Sequence, residues 1–248
     1  MLIPGLVSVT FRKYDKFTVS KLAADSGLFE IEWGGDVHVP PSDKNAIDNA
    51  IYSSSVNKIK ISSYGSYYRS GDDMKEMQSN IETAHALGAK YIRIWAGKKG
   101  SAEVDDAERS KTVNNIIKTC DFAKQYSITV CPEFHIDTLT DDYNSALKLV
   151  DEVGRENFKL YWQPNQFRDE EYNLKSCKAI LPFMTNVHVF HWIRGDMYPL
   201  QNGKEIWKKY FDIISSDNID HSVQMEFVCD GSAEQFKKDA KIFLELIK

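Results

Sequence analysis

The chain has 248 residues, of which 42% are hydrophobic, 12% aromatic and 27% charged. A chain of this size buries roughly three-quarters of its surface, which excludes a disordered or fibrous protein. With 31 Lys and Arg against 36 Asp and Glu the formal net charge is -5, and this argues against duplex binding, which needs a basic stripe to release counterions.

The opening stretch, Met1 to Phe11, is broken by Pro4 and Gly5 and does not read as a secretory leader. No apolar run approaches the ~18 residues of a membrane span, so the expectation is a cytoplasmic protein without membrane contact. Cys120, Cys131, Cys177 and Cys229 are far apart with no C-x-x-C spacing, which reads as free thiols and not as a zinc knuckle or a disulfide scaffold.

In chain order, β-branched and aromatic runs alternate with stretches of helical period. Strands are expected at Gly5 to Thr10, Leu28 to Trp33, Lys58 to Ser63, Tyr91 to Ala96, Ile128 to Phe134, Phe158 to Gln163, Val187 to Trp192 and Ser222 to Val228. Between the third and fourth, Met77, Ile81, Ala84 and Leu87 form a helical stripe that Gly88 closes. After Asp106, the positions Val113, Ile116, Ile117, Cys120 and Ala123 share one helix face. Asp141 or Asp142 is placed to cap a helix running through Ala146, Leu147 and Val150 to Gly154. At the end of the chain Ser232-x-x-Gln235 reads as a capping box ahead of Phe236, Ala240, Phe243 and Ile247.

Eight β-α units at about 30 residues each, with no linker-like composition between them, predict an α/β fold. The expected architecture is a single (β/α)8 barrel forming one domain over residues 1–248. An open doubly wound sheet would carry a glycine-rich phosphate loop after its first strand, and Val9-Thr10-Phe11-Arg12-Lys13 contains no glycine.

Strand residues in a barrel alternate between lumen and helices, so parity sorts them. The apolar set packs on the helices, and a polar set containing Glu30, Glu32, Lys60, Arg93, Glu133, Gln224 and Glu226 is left to face the lumen. Glu30, Glu32, Lys60 and Arg93 read as a buried ion-pair network. Glu133 and Glu226 lie at the C-terminal ends of their strands, the face on which barrel enzymes assemble their sites. Strand 7 offers His188 and His191 with opposite parity, and the later residue, His191, is the expected ligand because it lies level with the two glutamates. Glu133, His191 and Glu226, with Gln163 on strand 6, make an oxygen-rich ring with one imidazole, suited to Mn²⁺ or Mg²⁺ and also to Zn²⁺. Among the strand-end tryptophans, Trp33 and Trp95 are the ones expected to offer indole faces to a sugar; Trp162 and Trp192 have helix-facing parity.

These residues resemble the xylose isomerase-like barrels, the sugar phosphate isomerase/epimerase superfamily, along the whole chain. That resemblance implies metal ligands after strands 5, 6, 7 and 8. The first falls on Glu133 in Val130-Cys131-Pro132-Glu133-Phe134-His135, the strand 7 histidine on His191, and the last on Glu226 in Val223-Gln224-Met225-Glu226-Phe227. Strand 6 departs from the pattern: Gln163 stands where an Asp is implied, and Gln166 where a substrate-touching His is implied. A glutamine carbonyl still coordinates a cation but brings no charge.

What the resemblance implies is an isomerase or epimerase of a small sugar or sugar derivative, working by proton abstraction beside a carbonyl with Glu133 and Glu226 as acid/base pair and a divalent metal as Lewis acid. An inosose dehydratase-like lyase shares the first step. The alternative is a sugar-binding or regulatory barrel that lost catalysis through Gln163 and Gln166. An endonuclease IV-like nuclease is disfavoured by the six histidines and the acidic balance. Gln166, Arg194 and His38 are further expected substrate contacts, with Asp36 in the same loop as His38. Lys98 and Lys99 read as surface charge. No organic cofactor is expected, and a homodimer is the expected assembly if there is one.

Overall fold

A computed structural model of the chain describes residues 1–71 and 73–248. Eight parallel strands form the barrel: β1 (Leu2–Val7), β2 (Glu30–Gly34), β3 (Lys60–Arg69), β4 (Tyr91–Trp95), β5 (Thr129–Pro132), β6 (Leu160–Trp162), β7 (Met184–Val189) and β10 (His221–Met225). A two-residue hairpin, β8 (Trp192–Ile193) and β9 (Asp196–Met197), is inserted after β7. The strand order is β5-β4-β3-β2-β1-β10-β7-β6, and the bridges Val130↔Phe158 and Glu133↔Tyr161 bring β6 back against β5. The barrel read from the sequence is therefore the barrel that forms.

Helices α1 (Lys16–Asp25), α2 (Lys44–Val56), α3 (Met74–Ala86), α4 (Asp106–Lys124), α5 (Tyr143–Val153), α6 (Glu170–Ile180), α7 (Lys204–Ile214) and α8 (Ala233–Leu246) surround it. Six begin on an aspartate whose carboxylate accepts a backbone N–H of the first turn: Asp15, Asp43, Asp73, Asp105, Asp142 and Asp169. Each such cap contributes about 1 kcal/mol and fixes where the loop above the barrel ends. Ser232 caps α8, but the side chain of Gln235 bonds Asp239 and does not return to the cap.

Strand ends depart from the sequence reading in two places that matter for the site. The first strand stops at Val7, because Ser8 turns into a short 3-10 segment and its hydroxyl accepts the Gly34 N–H at 2.8 Å. The seventh stops at Val189, and the chain leaves the barrel wall there to enter the hairpin, turning at Arg194 (φ 51) and Gly195 (φ 96). In-and-out alternation holds only as far as the strand does. Val187 and Val189 pack outward and are buried, so His188 points into the lumen.

Candidate active site

Three side chains converge at the C-terminal mouth of the barrel: Glu133 just beyond β5, His188 on β7 and Glu226 just beyond β10. One ligand atom from each lies within 4.8 Å of the others. His188 Nδ1 is 3.0 Å from Glu133 Oε1 and 3.3 Å from Glu226 Oε2. All three are buried. Glu133 and Glu226 line a cavity of ≈ 340 Å³, together with Arg12, Tyr67, Trp95, His135, Gln163 and Gln166.

The two glutamates are held differently. Glu133 Oε2 accepts the Arg93 guanidinium at 2.6 Å and the Trp95 indole N–H at 2.7 Å. Burial alone would raise its pKa, but Arg93 and His188 outweigh burial and hold the carboxyl well below the usual range. Glu226 receives no N–H from the protein apart from the His188 ring among the described contacts. Burial disfavours the imidazolium of His188, yet Glu226 and Glu133 overcome it and push the ring up to about 10.

Arg93 also faces Glu32, with Nε 3.5 Å from Oε1, and His188 Nε2 lies 3.7 Å from the same oxygen. The network expected from Glu30, Glu32, Lys60 and Arg93 thus divides. Lys60 binds Glu30 at 2.7 Å with its side chain mostly in solvent, whereas Arg93 and Glu32 belong to the site. The sequence carried the signal: β4 and β5 pair Arg93 with Cys131, which puts Glu133 two residues further along the same face.

The donor set fits a divalent ion. Glu133 Oε1, Glu226 Oε2 and His188 Nδ1 supply two anionic oxygens and one imidazole nitrogen, and Gln163 Oε1 is a buried acceptor without a partner on the same cavity. Three buried carboxylates and one guanidinium leave two negative charges, which a divalent ion beside a neutral imidazole would cancel.

A family model, that of the xylose isomerase-like TIM barrel, matches residues 21–246. The chain belongs to this family. Over 69 residues it is 42% identical to a 3-dehydroshikimate dehydratase of Bacillus anthracis, a match that spans 28% of this chain and 25% of that protein. Among solved structures, the probable 3-DHS dehydratase AsbF of Bacillus anthracis superposes with a TM-score of 0.80 at 21% identity over 98% of this chain and 99% of that one. A D-psicose 3-epimerase of Clostridium cellulolyticum H10, solved with D-tagatose, gives 0.73 at 12% identity, covering 98% and 97%. The IOLI protein, with a bound zinc atom, gives 0.75 at 17% over 98% and 97%.

In this xylose isomerase-like barrel several side chains expected at the mouth are elsewhere. His191 lies past the end of β7, its ring 6.1 Å from that of Tyr198 and packed on Gly203, and it does not approach the glutamates; His188 takes that place because strand alternation ends at Val189. Trp33 alternates outward from Glu32, fully buried, and its indole donates to Ser54 on α2 at 3.1 Å. His38 is also spoken for: Nδ1 faces the Ser8 hydroxyl and Nε2 the Tyr14 carbonyl, both at 3.1 Å, with burial depressing its pKa. Arg194 sits at the exposed hairpin tip, donating its backbone N–H to the Gln166 carbonyl, and its side chain lines a neighbouring groove.

Other expected residues do line the cavity. Trp95, Gln163 and Gln166 are there; the Gln163 amide nitrogen donates to the Phe134 carbonyl at 2.6 Å, which leaves its oxygen free. Arg12, Tyr67 and His135 had not been singled out. Arg12 bonds Asp36 at 2.5 Å and the Tyr67 hydroxyl at 2.6 Å, an arrangement that links the segments after β1 and β2 to β3 and has no signature in any one of them. Lys99 pairs with Glu108 at 2.6 Å and lies with Lys98 beside a separate depression. The four cysteines are free thiols, and no helix among the described residues is long and apolar enough to cross a membrane.

Proposed function

We propose that the protein is a metal-assisted enzyme that removes the proton next to a carbonyl in a small polyhydroxylated substrate. The observation that carries this reading is the convergence of Glu133, His188 and Glu226 within 4.8 Å, with the two glutamates lining the cavity. Glu133, His188 and Glu226, joined by the Gln163 oxygen, would hold a divalent ion, Mn²⁺, Mg²⁺ or Zn²⁺, which would supply Lewis-acid polarisation of the substrate carbonyl and adjacent hydroxyl.

The remaining chemistry belongs to the chain. Glu133 is an orienting ligand and not a proton carrier, since both lone pairs of its Oε2 are taken by Arg93 and Trp95 while Oε1 faces His188. Glu226 keeps an oxygen clear of protein donors beside the cavity and acts as the base at the carbon next to the carbonyl. Trp95 lines the cavity, with the Arg69 guanidinium 4.2 Å over its ring. Gln166 and Tyr67 hydrogen-bond hydroxyls.

One free base suits dehydration: Glu226 takes the proton and returns it to the hydroxyl on the next carbon, which leaves as water as the carbon–carbon double bond forms, whereas reprotonation from the opposite face needs a second acid. The likeness to a 3-dehydroshikimate dehydratase supports this outcome. A second reading, isomerase or epimerase of a small sugar, is favoured by the structural likeness to a D-psicose 3-epimerase. The test is metal analysis of the purified protein, followed by assay of 3-dehydroshikimate and a ketose panel with Mn²⁺, Mg²⁺ or Zn²⁺ before and after chelation. Turnover lost on chelation and restored by the ion supports enolising chemistry, and the active substrate separates the two readings. Absence of any bound ion and of any chelator effect would favour a non-catalytic barrel.

A further inference from the structure

Beneath the proposed ion ligands lies a buried carboxylate that touches neither the cavity nor the substrate. Glu32 on β2 is fully buried. Its Oε2 accepts the Ser63 hydroxyl at 2.9 Å, while its Oε1 has no hydrogen-bond partner. Two other unpartnered atoms face that oxygen: Arg93 Nε at 3.5 Å and His188 Nε2 at 3.7 Å. The contact is one of charge across a short gap.

Room for it is built into the backbone. A Cβ on Gly65 of β3 would come 2.6 Å from Glu32 Oε1 and 3.3 Å from Arg93 Nη2, so a larger residue there would displace the carboxylate from its place beside Arg93.

The arrangement answers an electrostatic problem. Arg93 orients Glu133 by donating to its Oε2, but a guanidinium on a ligand also repels the cation that ligand is to hold. Resting on the proposed ion site, we propose that Glu32 is a positioning residue that neutralises Arg93, so that Arg93 can orient Glu133 without weakening cation binding. With Glu32 and Arg93 cancelling, Glu133 and Glu226 together match a divalent charge. Loss of the Glu32 charge leaves the loaded site one unit positive, in a place where solvent does not screen it.

The experiment is Mn²⁺ binding by the full chain, measured by calorimetry or by the spectrum of free Mn²⁺, for the wild type, Glu32→Gln and Glu32→Gln/Arg93→Gln. Glu32→Gln keeps the size of the side chain and is expected to weaken Mn²⁺ binding about 10- to 100-fold, the usual cost of altering a group behind a metal ligand. The double substitution removes both charges and is expected to bind Mn²⁺ more tightly than Glu32→Gln and within about tenfold of wild type, the remaining deficit being the lost Arg93 donor to Glu133, a recovery that a merely structural role would not produce. If Glu32→Gln does not fold, the double variant alone decides: affinity within about tenfold of wild type supports the role, and weaker binding overturns it. Where both variants fold, unchanged affinity in Glu32→Gln, or a double variant no tighter than Glu32→Gln, overturns it. Failure of the wild type to bind Mn²⁺ would instead refute the proposed ion site itself.

Discussion

His188 offers the sharpest test of how the mouth of the barrel is built. In the ion-free protein its ring lies between Glu133 and Glu226, and its pKa is pushed up to about 10. A histidine in the unfolded chain titrates near 6.5. A group raised in this way contributes stability fully below about pH 6.5, and the contribution is lost as pH rises through about 10. At pH 7 the difference is worth about 4 kcal/mol, and by pH 10 it falls below about 1 kcal/mol. His188→Gln should therefore destabilise the ion-free protein by about 4 kcal/mol at pH 7, in line with the cost of breaking a buried ion pair, and far less at pH 10. His191→Gln, half-buried beside Tyr198, should cost under about 1 kcal/mol at either pH. Urea unfolding with chelator present, at pH 7 and pH 10, measures both. Equal costs for the two variants, or a His188→Gln cost that does not change with pH, would refute the placement of His188 between the carboxylates.

Three further outcomes follow from named contacts. Trp33→Phe removes the N–H that satisfies Ser54 and leaves a small void, so stability should fall by about 2 kcal/mol or more with KM unchanged, read by urea unfolding and steady-state kinetics. Trp95→Phe deletes one of the two donors to Glu133 Oε2 and should lower ion affinity about tenfold, measured by Mn²⁺ titration, because hydrogen bonds to charged groups are worth about 1.5–3 kcal/mol. Gln163→Asp should tighten ion binding about tenfold while lowering the melting temperature of the chelated protein, since it adds a carboxylate to a site already holding Glu133 and Glu226.

The barrel was legible because its rules are local. Alternation separated Glu32, Arg93, Glu133 and Gln224 from the valines and isoleucines that pack on the helices, and one of the two aspartates read as a cap, Asp142, begins α5. The histidine was not, because the choice between His188 and His191 depended on where β7 ends. Four residues of alternation beyond Met184 settle it in favour of His188, and the turn into the hairpin at Phe190 is set by tertiary packing, with Trp207 on α7 donating to the Phe190 carbonyl at 2.8 Å. Trp33 was readable from its parity beside Glu32, and its expected place at the mouth required a bend that β2 does not make. Arg12 and Tyr67 could not be found at all, because their contact joins positions 55 residues apart that only the closed barrel brings together.

Gln163 acquires a different meaning once the lumen is counted as a whole. Taken strand by strand, a glutamine in place of an acidic ligand is a missing charge, and a missing charge suggests a failed site. Around the mouth, however, Glu32 offsets Arg93, and Glu133 with Glu226 already balances a divalent ion. A fourth carboxylate would leave the loaded site one unit negative in a buried position, where unbalanced charge is costly. The neutral Gln163 oxygen, fixed by the bond from its amide to Phe134, supplies coordination without that excess. An aspartate at 163 would therefore trade a less stable ion-free protein for tighter binding, whereas the residues present would hold the proposed ion by geometry and matched charge together.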